Sequence, residues 1–425
     1  MELENFNLIT QKATGNNALP LTSADVLNRE SIVDIKKSRL KRGLLQSLYV
    51  RGNRTIAQLT RELNASVPSV TTLLEELIQK RWIIELGPAD SPFGRKPILY
   101  NLHPKGKYTM LLDITTYGSR TLFFNLQNQV VYKKDLPLIL EDNTNLPSKL
   151  IESFHQITRE SGISASDIIA VGISMPGLIN PKNGFNYTYK KLNPDKDSLG
   201  KQLETALQLP VYLINDTQAT ILGEHKFGQA KSMKNVLSVN MAWSGIGLGI
   251  VLNGKVFQGA SGFAGELGHI QVKADGELCH CGKVGCLDTL TSASSLIRRI
   301  KERLRKGQIS NLALKNAEKI DIEMIIDFAN KGDALAIDLL HDIGKEMGKG
   351  LSIAVHLFNP EAIIINGLLA KAGKFISNPI EQAIHKYCLI DFKHNLSIEI
   401  SALGENARLL GMQAYLVDQF LEKIA

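Results

Sequence analysis

Cysteine is nearly absent from this chain, with four residues in 425. A scaffold stapled by many disulfides is thereby excluded. No run of about 18 consecutive apolar residues occurs, the length a membrane-spanning helix needs, so no membrane partner is expected. The opening MELENFNLIT has no basic region leading into an apolar stretch, which predicts no secretory leader and a cytoplasmic protein. What is present, 44 % hydrophobic and 21 % charged residues, fits a soluble globular chain of two or three domains.

The few cysteines are not scattered. Three of the four fall within Cys279–Cys286, and Cys388 stands alone. Four cysteines allow two disulfides in principle. This spacing, in a cytosolic setting, suits a metal cage better.

Charge is uneven too. The net charge is +7, but residues 1–107 hold 16 Lys and Arg against 10 Asp and Glu. Nearly all the excess thus lies in the first quarter, which suggests a polyanion partner there. Residues 1–30 read as a polar N-terminal segment, partly disordered. From 31 to 106 a different pattern runs. Ile32, Ile35, Leu40, Leu44, Leu45 and Leu48 recur at helical spacing until VRGN stops them. Thr55 can cap a short helix ending at Leu63. After the turn Asn64-Ala65-Ser66, Pro68 fits the first turn of a second helix, where no intrahelical N–H is needed. Val70, Leu73, Leu74, Leu77 and Ile78 form its inner face, and Ser66, Ser69 and Thr72 begin its outer one. RWIIELG and KPILYNL read as two strands joined by PADSPFGRKP, which carries Arg95 and Lys96. Helix, turn, helix and two-stranded wing predict a DNA-binding domain whose second helix enters the major groove and whose wing meets phosphates or the minor groove. The outer face offers hydroxyls rather than the usual bidentate base readers, so readout would rest partly on DNA shape.

From 107 to 425 the pattern becomes α/β. Three strands, a helix, a strand, a helix and a strand are stated twice, from YTMLLDI to LPVYLIND and from NVLSVNMAW to PEAIIINGLLA. This predicts a duplicated ribonuclease-H-like, two-lobed domain of the actin and hexokinase superfamily, with ligands in the cleft. The segments GISMPGLIN, LINDTQATILGEHKFG, SGIGLGIVLNGKVFQGASGFAGELGHI and CHCGKVGCLD, in that order behind a winged helix, resemble the ROK family of repressors and sugar kinases. The N-terminal domain is similar to that of its xylose and N-acetylglucosamine repressors.

The resemblance sharpens several expectations. His269, Cys279, Cys281 and Cys286 supply one nitrogen and three sulfurs, a closed set suited to structural Zn²⁺ in the loop 269–286. Gly282 and Gly285 let the backbone fold round the ion. Glu266 and His269 would border a sugar pocket, and Asp216 would accept a hydrogen bond from a sugar hydroxyl, the general-base position of the kinases. Asp216 also reads as a helix cap. Asn215 is the second polar group there. Asp288 stands where the family usually has glutamate, and Asn193 is the nearest match to an Asn-Trp pair that is missing. The phosphate side departs further. Thr115, Thr116 and Tyr117 fill a turn that is glycine-rich in the kinases, Gly245, Gly247 and Gly249 survive from the second turn, and Asn366 replaces a glycine. The expected protein is therefore not a kinase but a sugar-responsive repressor of carbohydrate-use genes. Its partners would be double-stranded operator DNA, a sugar or sugar-phosphate effector, and further copies of itself in a dimer or tetramer. A sugar kinase with an accessory DNA-binding domain, and a regulator controlled by a protein partner, are the competing readings. The basic stretch Ile297–Gly307 reads either as a solvated face or as a contact for DNA or an acidic partner.

Overall fold

The computed structural model describes residues 32–89, 96–140, 145–193 and 197–423. The polar segment 1–30 and Arg95 in the wing lie outside the described residues. The described part opens with α1 (Ile32–Arg51), β1 (Arg54–Thr55), α2 (Ile56–Leu63), α3 (Val67–Gln79), β2 (Ile83–Pro88) and β3 (Ile98–Leu102). A reciprocal cap starts α2, since Gln58 N donates to Thr55 Oγ1 while Thr55 N donates to Gln58 Oε1. The helix stops at Asn64, whose left-handed backbone (φ 49°) turns the chain. Ser66 then caps α3 by accepting from Ser69 N. Leu59 of α2 and Val70, Leu73, Leu74 and Leu77 of α3 are buried against Leu44, Leu45 and Leu48 of α1. The strands form a sheet ordered β1-β3-β2. Strand β1 is absent from the sequence reading because two residues carry no periodicity.

The first lobe comprises β4 (Tyr108–Ile114), β5 (Ser119–Asn125), β6 (Val130–Leu136), α4 (Leu146–Ser161), β7 (Ile168–Met175), β8 (Ile179–Asn180), β9 (Phe185–Asn186), α5 (Leu199–Leu207) and β10 (Val211–Asn215). Its sheet runs β10-β7-β4-β5-β6, with β10, β7 and β4 parallel and the rest antiparallel. All eight residues of β7 are buried, as a central strand covered on both faces requires. Helix α6 (Asp216–Phe227) leads to the second lobe. There follow β11 (Val236–Met241), β12 (Ile246–Leu252), β13 (Lys255–Val256), α7 (Asp288–Thr291), α8 (Ala293–Arg305), α9 (Ile322–Asn330), α10 (Ala334–Phe358), β14 (Ala362–Gly367), α11 (Lys374–Tyr387) and β15 (Ser397–Ile400). The second sheet, β13-β12-β11-β14-β15, repeats the topology of the first. Its edge strand β15 is half-buried throughout and was missed in the sequence, although residues 396–401 alternate apolar and polar.

Helix α12 (Asn406–Lys423) returns the chain to the first lobe. It crosses α6 with the backbones in contact. A Cβ on Gly223 would lie 1.8 Å from Ala407 O, and one on Gly411 1.7 Å from Ala219 O, so only glycine fits at either point. The far end of α12 meets the N-terminal helices. Trp82 stacks on Phe420 with ring centroids 5.6 Å apart, and Tyr49 donates to Asn128 Oδ1 at 2.8 Å. One apolar cluster therefore runs unbroken from Leu44, Leu45 and Leu48 to Leu126 and Ile169 of the first lobe and Val417 and Leu421 of α12.

The basic stretch Ile297–Gly307 is mostly α8. It buries Leu296, Ile297 and Ile300. Arg298 pairs with Glu277, Arg299 with Asp342 at 2.8 Å, Lys301 with Glu318 at 3.4 Å and Lys306 with Glu302 at 2.5 Å. Most of its charge is thus matched within the chain.

Candidate functional site

The cleft between the lobes is built around the start of α6. Strand β10 ends at Asn215, whose side-chain oxygen accepts from Thr217 N (2.9 Å) and Gln218 N (3.2 Å) while its amide donates to Gly177 O at 3.0 Å. Asn215, not Asp216, is therefore the cap of α6, and this corrects the sequence reading. With the cap supplied by its neighbour, Asp216 sits in the first turn and faces the cleft, one oxygen accepting from Thr217 N at 2.8 Å. Burial raises its carboxyl above the ordinary range, and the nearby Arg408 guanidinium pulls it back.

Across the cleft, Glu266, His269 and Asp288 stand together. His269 Nε2 lies 3.8 Å from a Glu266 oxygen and Nδ1 3.5 Å from Asp288 Oδ2. The Glu266 side chain keeps 44 % of its surface open. Burial, with the charges of Asp288 and Asp216, raises it to about 7. Asp288 is enclosed. Its Oδ1 accepts from Ile246 N at 2.8 Å, and a Cβ on Gly268 would lie 2.0 Å from that oxygen. Burial raises Asp288 to about 6. The structure does not gather these groups into one enclosed cavity. A cavity of about 240 Å³ is lined by Asp216, Arg408, Asn240, Trp243, Thr115 and Tyr117. Glu266 borders a separate, apolar depression of about 210 Å³ with Ile270 and Leu357. Asn193 lines neither. Its amide donates to Asn186 O at 2.8 Å and its oxygen accepts from Leu199 N at 3.2 Å, so it braces its own loop.

His269 also belongs to a second cluster. Ligand atoms of His269, Cys279, Cys281 and Cys286 all lie within 4.8 Å of one another and could hold a metal ion. Cys281 and Cys286 Sγ are 3.7 Å apart, and Cys279 Sγ is 3.8 Å from His269 Nδ1. A second set, His269, Cys279, His280 and Asp288, shares two members with it. The loop closes through Gly282 (φ 86°) and Gly285 (φ 74°), left-handed positions that disfavour other residues. Burial, aided by Lys283, shifts the His269 imidazole toward the neutral form, the form in which a ring nitrogen can ligate.

The turn between β4 and β5 is closed on itself. Thr115 Oγ1 accepts from Gly118 N (3.1 Å) and Tyr117 N (3.4 Å), consuming backbone donors that a phosphate would require. At the end of β4, Asp113 Oδ2 accepts from Arg120 Nε at 2.9 Å and Arg408 at 2.8 Å. Arg120 is Asp113's direct partner across the hairpin, a pairing that strand counting could have found. Arg408 comes from α12, and no sequence signal points to it. Gly247 and Gly249 have a different use from the one expected of them. On β12, a Cβ at either would strike Thr217 (2.0 Å) or Ile221 (2.5 Å) of α6, so they permit helix–strand packing. Asn366 is buried on β14 and donates to Ser238 Oγ at 3.0 Å.

At the opposite end of the molecule, Ser66, Ser69 and Thr72 are exposed along the head of α3, and Lys96 is exposed before β3. Ser66 and Ser69 share a hydrogen bond of 2.8 Å.

A helix-turn-helix with a strand hairpin, joined to two lobes of repeated topology around a cleft, defines a winged-helix protein carrying a two-lobed α/β domain. A family model described as "ROK family" matches residues 116–419, and the chain belongs to the ROK family. It is 28 % identical over 377 residues to the DNA-binding transcriptional dual regulator NagC of Escherichia coli K12, covering 89 % of this chain and 92 % of that one. It is 26 % identical over 383 residues to the xylose repressor of Bacillus subtilis 168, covering 90 % and 95 %. A ROK family transcriptional regulator of solved structure, a homolog of the E. coli MLC protein, matches with a TM-score of 0.75 at 27 % identity over 92 % of this chain and 99 % of that one. A ROK family glucokinase from Streptomyces griseus, in complex with glucose and AMPPNP, shares the fold over 73 % of this chain and 99 % of its own (TM-score 0.63, 24 % identity).

Proposed function

We infer that the protein is a sugar-responsive transcriptional regulator that represses carbohydrate-use genes by binding operator DNA as a dimer or higher oligomer. The observation that carries this reading is the continuous apolar core joining a winged helix to a two-lobed domain. The relatives that match nearly the whole chain are regulators by name. In this reading residues 31–106 bind DNA, with Ser69, Thr72, Lys96 and Arg95 toward the duplex. Residues 107–425 bind the effector. Asp216 and Glu266 accept hydrogen bonds from sugar hydroxyls, while Asn215 and Asp288 position their neighbours.

Zinc is the metal that best suits three thiolates and an imidazole. Tetrahedral zinc sets its ligand atoms about 3.5–3.8 Å apart, close to the spacings in this cluster. Held by His269, Cys279, Cys281 and Cys286, it would brace the loop and aim His269 Nε2 at the cleft.

The absence of kinase activity is supported by the self-closed turn at Thr115 and by the two guanidiniums on Asp113. The first takes up backbone donors that a phosphate would need, and the second engages the Asp113 carboxylate. Sugar would act by changing the closure of the lobes. Closure would move α6 together with the α12 packed against it, and α12 ends under Trp82 of the winged helix. Half-sites about 34 Å apart tolerate little movement of paired recognition helices. A thermal-shift screen of the full-length protein against sugars and sugar phosphates tests the reading, because a ligand of the folded state raises Tm. The best ligand should then change the affinity for DNA. A panel with no hit, or a hit that leaves DNA binding unaltered, would overturn it.

A further inference from the structure

We propose that the head of α3 reads thymine, with Val67 and Pro68 packing against C5-methyl groups in the major groove of each operator half-site. This rests on the DNA-binding reading above. The argument begins with what the helix-turn-helix lacks. The side chains that grip base edges in pairs of hydrogen bonds are Arg, Lys, Asn and Gln. The head of α3, Val67–Thr72, carries none of these, and several of those nearby are engaged. Gln58 closes the cap of α2, and Arg51 and Arg54 both pair with Glu62, at 3.2 and 3.0 Å. Lys80, at the far end of α3, is held by Glu76 at 2.7 Å. Ser66 and Ser69 are bonded to each other.

What the first turn presents instead is apolar. Val67 is 53 % exposed, whereas the other large aliphatic residues buried in this helix, Val70, Leu73, Leu74 and Leu77, are at most 3 % exposed. Pro68 beside it is exposed as well, and Thr72, four residues on from Pro68, adds a methyl to the same face. Among the described residues Val67 belongs to none of the apolar clusters. A helix-turn-helix sets these N-terminal residues of its second helix against base edges. The apolar feature that a base pair offers in the major groove is the methyl of thymine. The surface therefore fits the methyl of thymine and offers guanine no bidentate donor.

The test uses the full-length protein and a random double-stranded DNA library. Selection should return half-sites with thymine under α3. Replacing those thymines one at a time by deoxyuridine removes the methyl alone, and should weaken binding about fourfold each, while deoxyuridine elsewhere in the duplex changes nothing. Val67→Ala, at an exposed position, should keep the wild-type Tm and non-specific affinity. It should bind the thymine and deoxyuridine duplexes equally at one position. Unchanged affinity with deoxyuridine throughout the half-site, or a Val67→Ala protein that still prefers thymine in full, overturns the proposal. A wild-type protein showing no salt-dependent DNA binding at all overturns the DNA-binding reading itself, and this inference with it.

Discussion

Arg408 donates to Asp113 Oδ2 at 2.8 Å, across 295 positions of sequence. Asp113 is 3 % exposed, and the same oxygen takes Arg120 at 2.9 Å. One carboxylate thus ties the end of strand β4 to its hairpin partner and to the helix that leaves the second lobe. Removing it leaves Arg408 without its ion-pair partner and Arg120 with only the exposed Glu405 at 3.3 Å. Asp113→Ala should lose about 3–5 kcal/mol of stability, as when one partner of a buried pair is deleted, measured by urea unfolding. A loss under ~1 kcal/mol, the level of exposed pairs, would show that the network is not structural.

The same network should keep the protein from turning over ATP. A coupled ATPase assay across hexoses and N-acetylhexosamines should stay at background. Turnover near ~1 per second, the low end for kinases, would favour the enzyme reading.

The thiol cluster should hold one zinc per chain in freshly purified protein. Cys281→Ser should lose that zinc and lower Tm, and a chelator should do the same to the wild type. Metal analysis without zinc would exclude the assignment.

The two ends of the molecule should separate by mutation. Asp216→Ala should bind DNA normally but lose its response to sugar. Lys96→Ala should weaken DNA binding uniformly across sequences and lower the salt slope by about one, with sugar affinity in the free protein unchanged. A full sugar response in Asp216→Ala would place the effector elsewhere. Trp82→Ala should leave each affinity near wild type but shrink the factor by which sugar changes DNA binding. Reciprocity demands an equal change in the effect of DNA on sugar.

Glu224 predicts a pH effect. It is fully buried and receives a hydrogen bond from Ser401, and burial raises its carboxyl above the ordinary value. The folded state therefore favours the protonated form. That contribution is complete below the unfolded value of about 4.3 and is lost as pH rises through the raised folded one. Glu224→Gln, always neutral, should gain Tm over wild type as pH increases from about 4, just below the unfolded value, to neutrality. A constant difference across that range would refute the account.

The local features of this protein were legible in the sequence because each is complete within a few residues. Thr55 finds its cap partner at Gln58, Pro68 suits the first turn of α3, and His269 reaches the cysteines through one short loop. The alternation of strands and helices, stated twice, was enough for the two-lobed architecture. Other features came from distant parts of the chain meeting in space. Asn215 rather than Asp216 caps α6 because β10 delivers it to Gly177. Gly247 and Gly249 pack β12 on α6 instead of cradling phosphate. Trp82 stacks on Phe420, and Arg408 claims Asp113. None of these leaves a periodic trace, since a single long-range contact depends on how whole sheets and helices are placed. The sequence by itself determined most of the elements, the cysteine-rich loop and the family. Only the tertiary structure decided which charges cancel in the cleft and which helix links it to the DNA-binding end, because those choices follow from packing between residues that chain order keeps far apart.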